Sequence, residues 1–94
     1  MTTEAQARAA VEQLLDAIGR DSGVSVRLAR FLLSTHGAHS DVDFGLFPSL
    51  DRTNLTAAQT AMQYSLFERR YELPLEWDEA QAVREFWEDR TQAA

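Results

Sequence analysis

The stretch ARAAVEQLLDAIGRDSGVSVRLARFLL, residues 7–33, decides the fold of this chain. Gly19 and the RDSG turn at 20–23 divide it into two apolar runs, the second lying between Val26 and Leu33. In the first run, apolar side chains recur at the spacing that places them on one helix face, at Ala7, Ala10, Val11, Leu14, Leu15 and Ile18. The stretch therefore predicts a helical hairpin.

Two further helical patterns follow the hairpin. Gly37 ends the second helix, and Pro74 separates the last two because proline cannot continue a helix. No segment alternates polar and apolar residues as a half-buried strand does. We predict an all-α fold, a small four-helix bundle-like single domain over residues 1–94, with one long connector, 38–52, between helices two and three. The predicted helices are Glu4–Ile18, Val24–Thr35, Leu55–Tyr71 and Asp78–Arg90.

Polar side chains near the helix starts provide candidate N-caps. Thr3 and Gln6 have the spacing of a capping box for the first helix. The second and third starts each leave two alternatives open, which are Asp21 or Ser22, and Thr53 or Asn54.

Composition excludes several kinds of chemistry. Cysteine is absent and all nine basic residues are arginine, so thiolate and lysine Schiff-base catalysis are excluded. The net charge of −6 disfavours binding to nucleic acid and to acidic membranes. No apolar run is long enough to span a bilayer and the first residues lack a secretory pattern. We expect no membrane association and a cytoplasmic location.

Arg20–Leu33 resembles the centre of a small helical family of undefined function, encoded on bacterial integrative and conjugative elements. That family joins a leucine-rich first helix to a Gly-Asp-Thr-Gly-like turn and a second helix rich in Phe-Leu-Leu; here the turn is RDSG and FLL stands at 31–33. Phe44–Asp51 is also similar to the family's connector, so the resemblance covers mainly residues 7–51. The chain departs from the pattern at Ser34-Thr35-His36. The resemblance implies an accessory role on a mobile element and supplies no catalytic residues.

A group of possible metal ligands lies at the end of the second helix and in the connector, at His36, His39, Asp41 and Asp43. Imidazoles and carboxylates are the ligand types that divalent metals bind. Their spacing matches no known metal motif, and a histidine at a helix C-terminus also suits the helix dipole. We predict no metal and no cofactor, and a metal-dependent enzyme is kept as an alternative.

The last helix is rich in acidic residues, namely Glu76, Asp78, Glu79, Glu85, Glu88 and Asp89. Such residues stabilise the start of a helix and form a solvated face later in it. The alternative hypothesis is a DNA-mimic inhibitor of a nucleic-acid-binding host defence protein, in which Glu85 and Glu88 would contact the partner.

Arginines form the opposite kind of group, at Arg20, Arg27, Arg30, Arg69 and Arg70. They would allow a nucleic-acid contact, but the connector is too long for the turn of a recognition-helix motif. We expect no nucleic-acid partner, and a nucleic-acid binder is kept as an alternative.

Aromatic residues carry the main functional hypothesis. We expect Phe31, Phe67, Phe86 and one tryptophan to fill the core. Three others either cover the end of the bundle or form an exposed patch for a partner or a second copy, and these are Phe44, Phe47 and Trp77. No enzyme motif is present in the sequence. We therefore predict a non-enzymatic protein-interaction module that binds a protein partner, with a homodimer as the alternative.

Overall fold

The computed structural model of the chain describes residues 1–37 and 42–92, and this part is helical. Four α-helices occur in the predicted order, joined by a 3₁₀ helix in the connector and a π turn directly after the third α-helix. The described residues contain no strand, so the predicted all-α class is confirmed. The elements are α1 (Glu4–Gly19), α2 (Ser25–Thr35), the 3₁₀ helix (Phe44–Ser49), α3 (Arg52–Met62), the π turn (Gln63–Phe67) and α4 (Trp77–Gln92).

The start of α1 has the predicted capping box. The Thr3 hydroxyl accepts a hydrogen bond from the Gln6 backbone N–H at 3.0 Å. The Gln6 side chain in turn accepts one from the Thr3 N–H at 2.9 Å. Two N–H groups that the first helical turn leaves unpaired are thereby satisfied.

The two remaining N-cap predictions are wrong. Val24 occupies the N-cap of α2 without a side-chain bond; Ser25 binds the preceding turn instead, since its hydroxyl accepts from Ser22 N–H at 2.8 Å and donates to the Ala17 carbonyl. Asp21 lies two residues beyond the end of α1 and has a positive φ of 52°. At α3, Asp51 is the cap and accepts from the Asn54 N–H at 2.8 Å, because this helix begins earlier than the apolar spacing indicates.

Helix α1 packs against both α2 and α3, and α4 packs on α2. The pairs Thr2–Glu68 and Gln13–Asn54 show that α1 and α3 run antiparallel. The core is continuous across these contacts, and Val11, Leu14 and Leu28 are fully buried in it. No helix within the described ranges is long and apolar enough to cross a membrane.

The connector is folded onto α2. Leu46 is completely buried, and the Phe47 ring meets the Phe31 ring edge-on at 5.8 Å between centroids. Arg27 donates a hydrogen bond from Nε to Asp43 Oδ2 at 2.9 Å, and its Nη2 forms an ion pair with the same oxygen at 2.8 Å. The connector therefore extends the core rather than only covering its end.

The prediction that helix three continues to Tyr71 is wrong. The α-helix ends at Met62, and the Glu68 N–H bonds to the Gln63 carbonyl five residues earlier. A π turn holds one more residue than an α turn, which rotates every later side chain by about 100° relative to the apolar stripe. Phe67 leaves the core for this reason. It is 68% exposed.

Candidate interaction surface

Large aromatic side chains are exposed at four positions of the described chain: Phe44 (67%), Phe67 (68%), Tyr71 (52%) and Trp77 (79%). The last three belong to the π turn, the linker that follows it over 68–76, and the first residue of α4. Burial of these rings in a complex would remove a large apolar area from water.

Phe67, Tyr71 and Trp77 lie at one end of the bundle, which we call the linker end. Here the π turn and the linker meet the start of α1 and the end of α2. Gly37 N–H donates to the Tyr71 carbonyl at 2.6 Å, and Leu73 N–H donates to His36 Nδ1 at 3.0 Å. Leu73 itself is buried. These bonds hold the linker in place although it has no regular secondary structure.

The basic turn, residues 67–71, begins at the last residue of the π turn. Arg69 and Tyr71 have positive φ angles of 59° and 68°, a region that side-chain-bearing residues rarely adopt. Both arginines of this turn are exposed, and the Arg70 guanidinium lies 4.8 Å from the centroid of the Tyr64 ring. The local backbone thus directs two cations and two aromatic rings to the surface of one short segment.

Glu68 differs from the other charged residues of the basic turn because its side chain is only 7% exposed. Its carboxylate accepts from Thr2 N–H at 2.9 and 3.2 Å and from the Gln63 amide at 3.1 Å. These bonds, chiefly that from Thr2, lower the pKa of Glu68. The carboxylate is therefore used inside the molecule.

Trp77 begins α4 next to an internal ion pair. Arg8 donates to both carboxylate oxygens of Glu79 at 2.6 and 2.7 Å and to the Pro74 carbonyl at 3.0 Å. The hydrogen bonds from Arg8 lower the pKa of Glu79 to about 2. Glu79 is thus a structural residue that fixes the start of α4 against α1, which positions Trp77.

The remaining acidic residues of α4 form a mixed surface. Glu85 is exposed and Glu88 is half-buried. Asp89 pairs with Arg90 at 2.6 Å, and Arg90 also binds Asp21 at 2.7 Å. Because cations are interspersed with the carboxylates, the face lacks the uninterrupted negative charge of a DNA backbone.

Two of the four candidate metal ligands, His39 and Asp41, lie outside the described residues. His36 uses Nδ1 as an acceptor for Leu73 N–H, and partial burial lowers its pKa. Asp43 is paired with Arg27. Within 1–37 and 42–92, no three histidine or acidic side chains come together in a way that could hold a metal ion.

The predicted partner-binding aromatics separate in the structure. Phe44 and Trp77 are exposed, whereas Phe47 is half-buried against Phe31. Phe67 and Tyr71 were not among the predicted partner-binding residues, because helical spacing places Phe67 on the apolar stripe. The signal that could have identified them is the ERR run at 68–70, since cations are typical of a helix end.

Comparison with protein-family models, with curated proteins and with solved structures finds no match to this chain.

Proposed function

We propose that this chain is a non-enzymatic protein-interaction module that binds another protein through the aromatic side chains of its linker end. One observation carries the proposal: Phe67, Tyr71 and Trp77 are each more than half exposed within eleven residues of sequence, at one end of the bundle. Aromatic residues are enriched at the energetic centres of protein interfaces. Exposed apolar patches on small proteins commonly mark such sites.

The hydrogen bonds beneath the linker end support the same proposal. Gly37, His36 and Arg8 each bind the linker backbone or its carbonyl groups. A segment that is already fixed loses less conformational entropy when a partner binds. The exposed rings are thus presented on a defined scaffold.

The experiment compares variants of the purified, tagged chain in capture from nuclease-treated lysate. The triple variant Phe67→Ser, Tyr71→Ser, Trp77→Ser should lose the protein that the unmodified chain retains. Phe44→Ser is the matched control, because Phe44 is equally exposed but lies in the connector. Circular dichroism would verify that both variants remain helical.

Two results would contradict the proposal. Retention of the partner by the triple variant would show that the linker end is not the binding site. Loss of the partner in Phe44→Ser alone would assign the site to the connector. Sedimentation of the free chain tests the homodimer alternative, since a dimer that the triple variant dissociates would make a second copy the partner.

A further inference from the structure

The basic turn carries a charge opposite to that of the whole chain. It presents Arg69 and Arg70 between Phe67 and Tyr71, in a protein with a net charge of −6. We infer that the partner offers the basic turn a compact acidic site with apolar surface beside it, and that Arg69 and Arg70 select for that site. This inference rests on the proposed function and specifies the chemistry of its partner.

The side chain of Glu68 is turned away from the surface of the basic turn. Its carboxylate is engaged by Thr2 and Gln63 and is almost fully buried. Its contact with Arg70 is long, at 3.9 Å between Nε and Oε1. The nearest internal anion therefore neither covers nor closely pairs the exposed cations.

The two arginines of the basic turn differ in their contacts with the rest of the protein. Arg70 is held above the Tyr64 ring, and Tyr64 is itself buried, so the guanidinium is partly ordered before binding. The Arg69 side chain makes no hydrogen bond or ion pair with the residues that the structure describes. Covering guanidinium groups with an apolar partner would cost desolvation energy, whereas carboxylates would replace the lost water by charge-assisted hydrogen bonds.

The acidic residues around the basic turn favour an acidic protein over a nucleic acid as the partner. Glu72, Glu76 and Asp78 are exposed in the linker and at the start of α4. A long polyanion that bound the basic turn would extend over such carboxylates and be repelled. A compact acidic site on a protein contacts the arginines without covering the neighbouring acidic residues.

The test begins with a photo-crosslinking amino acid, benzoylphenylalanine, in place of Tyr71, and in place of Gln59 as an exposed control on α3. A protein captured at 71 but not at 59 is then purified, and its Kd for the unmodified chain is measured between about 0.05 and 0.3 M NaCl. The double variant Arg69→Glu, Arg70→Glu should raise Kd by about tenfold or more.

The matched control is Arg52→Glu, Arg84→Glu, which makes the same charge change at two exposed arginines outside the linker end. This variant should change Kd by less than about threefold. Reversal of the partner's crosslinked acidic residues to arginine should restore binding to the Arg69→Glu, Arg70→Glu variant and not to the unmodified chain.

The outcomes distinguish the two proposals. If a protein crosslinks at 71 but the two double variants bind equally, the acidic-site inference is wrong and the proposed function stands. If only nucleic acid crosslinks at 71, or no protein is captured there, both proposals are wrong.

Discussion

In both the connector and the π turn, burial differs from what the sequence pattern predicts, and the two segments differ in opposite directions. The connector carries glycine, proline and aspartates, yet Leu46 within it is fully buried and Phe47 packs on Phe31. The π turn continues a regular apolar pattern, yet Phe67 at its end is 68% exposed. In this molecule, an irregular segment contributes to the core and a periodic one leaves it.

The difference shows what periodicity measures. Apolar spacing predicts burial only while the backbone keeps 3.6 residues per turn. In an irregular segment, residue spacing does not predict which side chains are buried. Their burial depends on the surface of the protein against which the segment packs. The connector lies along α2, where Asp43 binds Arg27 and Leu46 enters the core. The comparison leads to three experiments.

The largest effect is expected in the connector. Leu46→Ala should lower the free energy of unfolding by about 3 kcal/mol, because it removes a completely buried side chain and leaves a cavity. Urea denaturation followed by circular dichroism measures this value. Phe44→Ala is the control in the same 3₁₀ helix, and its effect should be below about 1 kcal/mol because the ring is exposed.

A loss of less than about 1 kcal/mol of unfolding free energy in Leu46→Ala would contradict the conclusion that the connector contributes to the core. The connector would then be a covering loop, as its composition suggests, and the core would consist of the α-helices alone.

The sequence predicted the hairpin well because its information is local. The capping box at Thr3 and Gln6 and the stop at Gly19 depend on neighbours within a few residues. The true cap of α3, Asp51, was missed because the helix starts with polar residues that carry no apolar signal. Local signals thus defined the elements more reliably than their exact ends.

The candidate site depended on contacts that are distant in sequence. Glu68 is turned inward by Thr2, 66 positions away, and the linker is fixed by His36 and Arg8. Such pairings have no local pattern, so the exposure of Phe67 and Tyr71 has no sequence signal beyond the ERR run at 68–70. Exposure of Trp77 was compatible with the sequence, since Trp77 lies between acidic residues.

The second experiment tests what holds the linker after the π turn. The pKa of Glu79 is lowered from 4.5 to about 2 by the hydrogen bonds from Arg8. Because the folded pKa lies below the unfolded one, the pair stabilises the fold fully above about pH 4.5, and this contribution is lost as the pH falls toward 2. We expect a loss of about 1–2 kcal/mol, since both side chains remain partly exposed to solvent.

The measurement is chemical denaturation at a series of pH values, with Glu79→Gln as the reference. Other carboxylates, such as Asp21 and Glu68, also have lowered pKa values. Only the difference between the two chains reports on Glu79. An equal pH dependence in both would mean that the pair does not hold α4 in solution.

The smallest effect is expected at the residue that sequence spacing places in the core. Phe67→Ala should change the free energy of unfolding by less than about 0.5 kcal/mol, because the ring makes little contact with the core. Phe31→Ala, at a ring that is 1% exposed, should cost about 3 kcal/mol or more. Equal losses of unfolding free energy in the two variants would show that Phe67 is buried in the core. The segment would then be an ordinary α-helical turn and not a π turn.

Helix α4 contributes few residues to the core. Of its sixteen residues, only Val83 is buried, with Phe86 and Trp87 partly so. Ion pairs near its two ends, Arg8–Glu79 and Asp21–Arg90, join residues 71 and 69 positions apart. Local unfolding of α4 therefore breaks two long-range links and uncovers apolar surface of α1 and α2 while the hairpin stays folded. Because acid and high salt weaken both links, we expect these conditions to populate the partially unfolded state, whose uncovered apolar surface promotes aggregation.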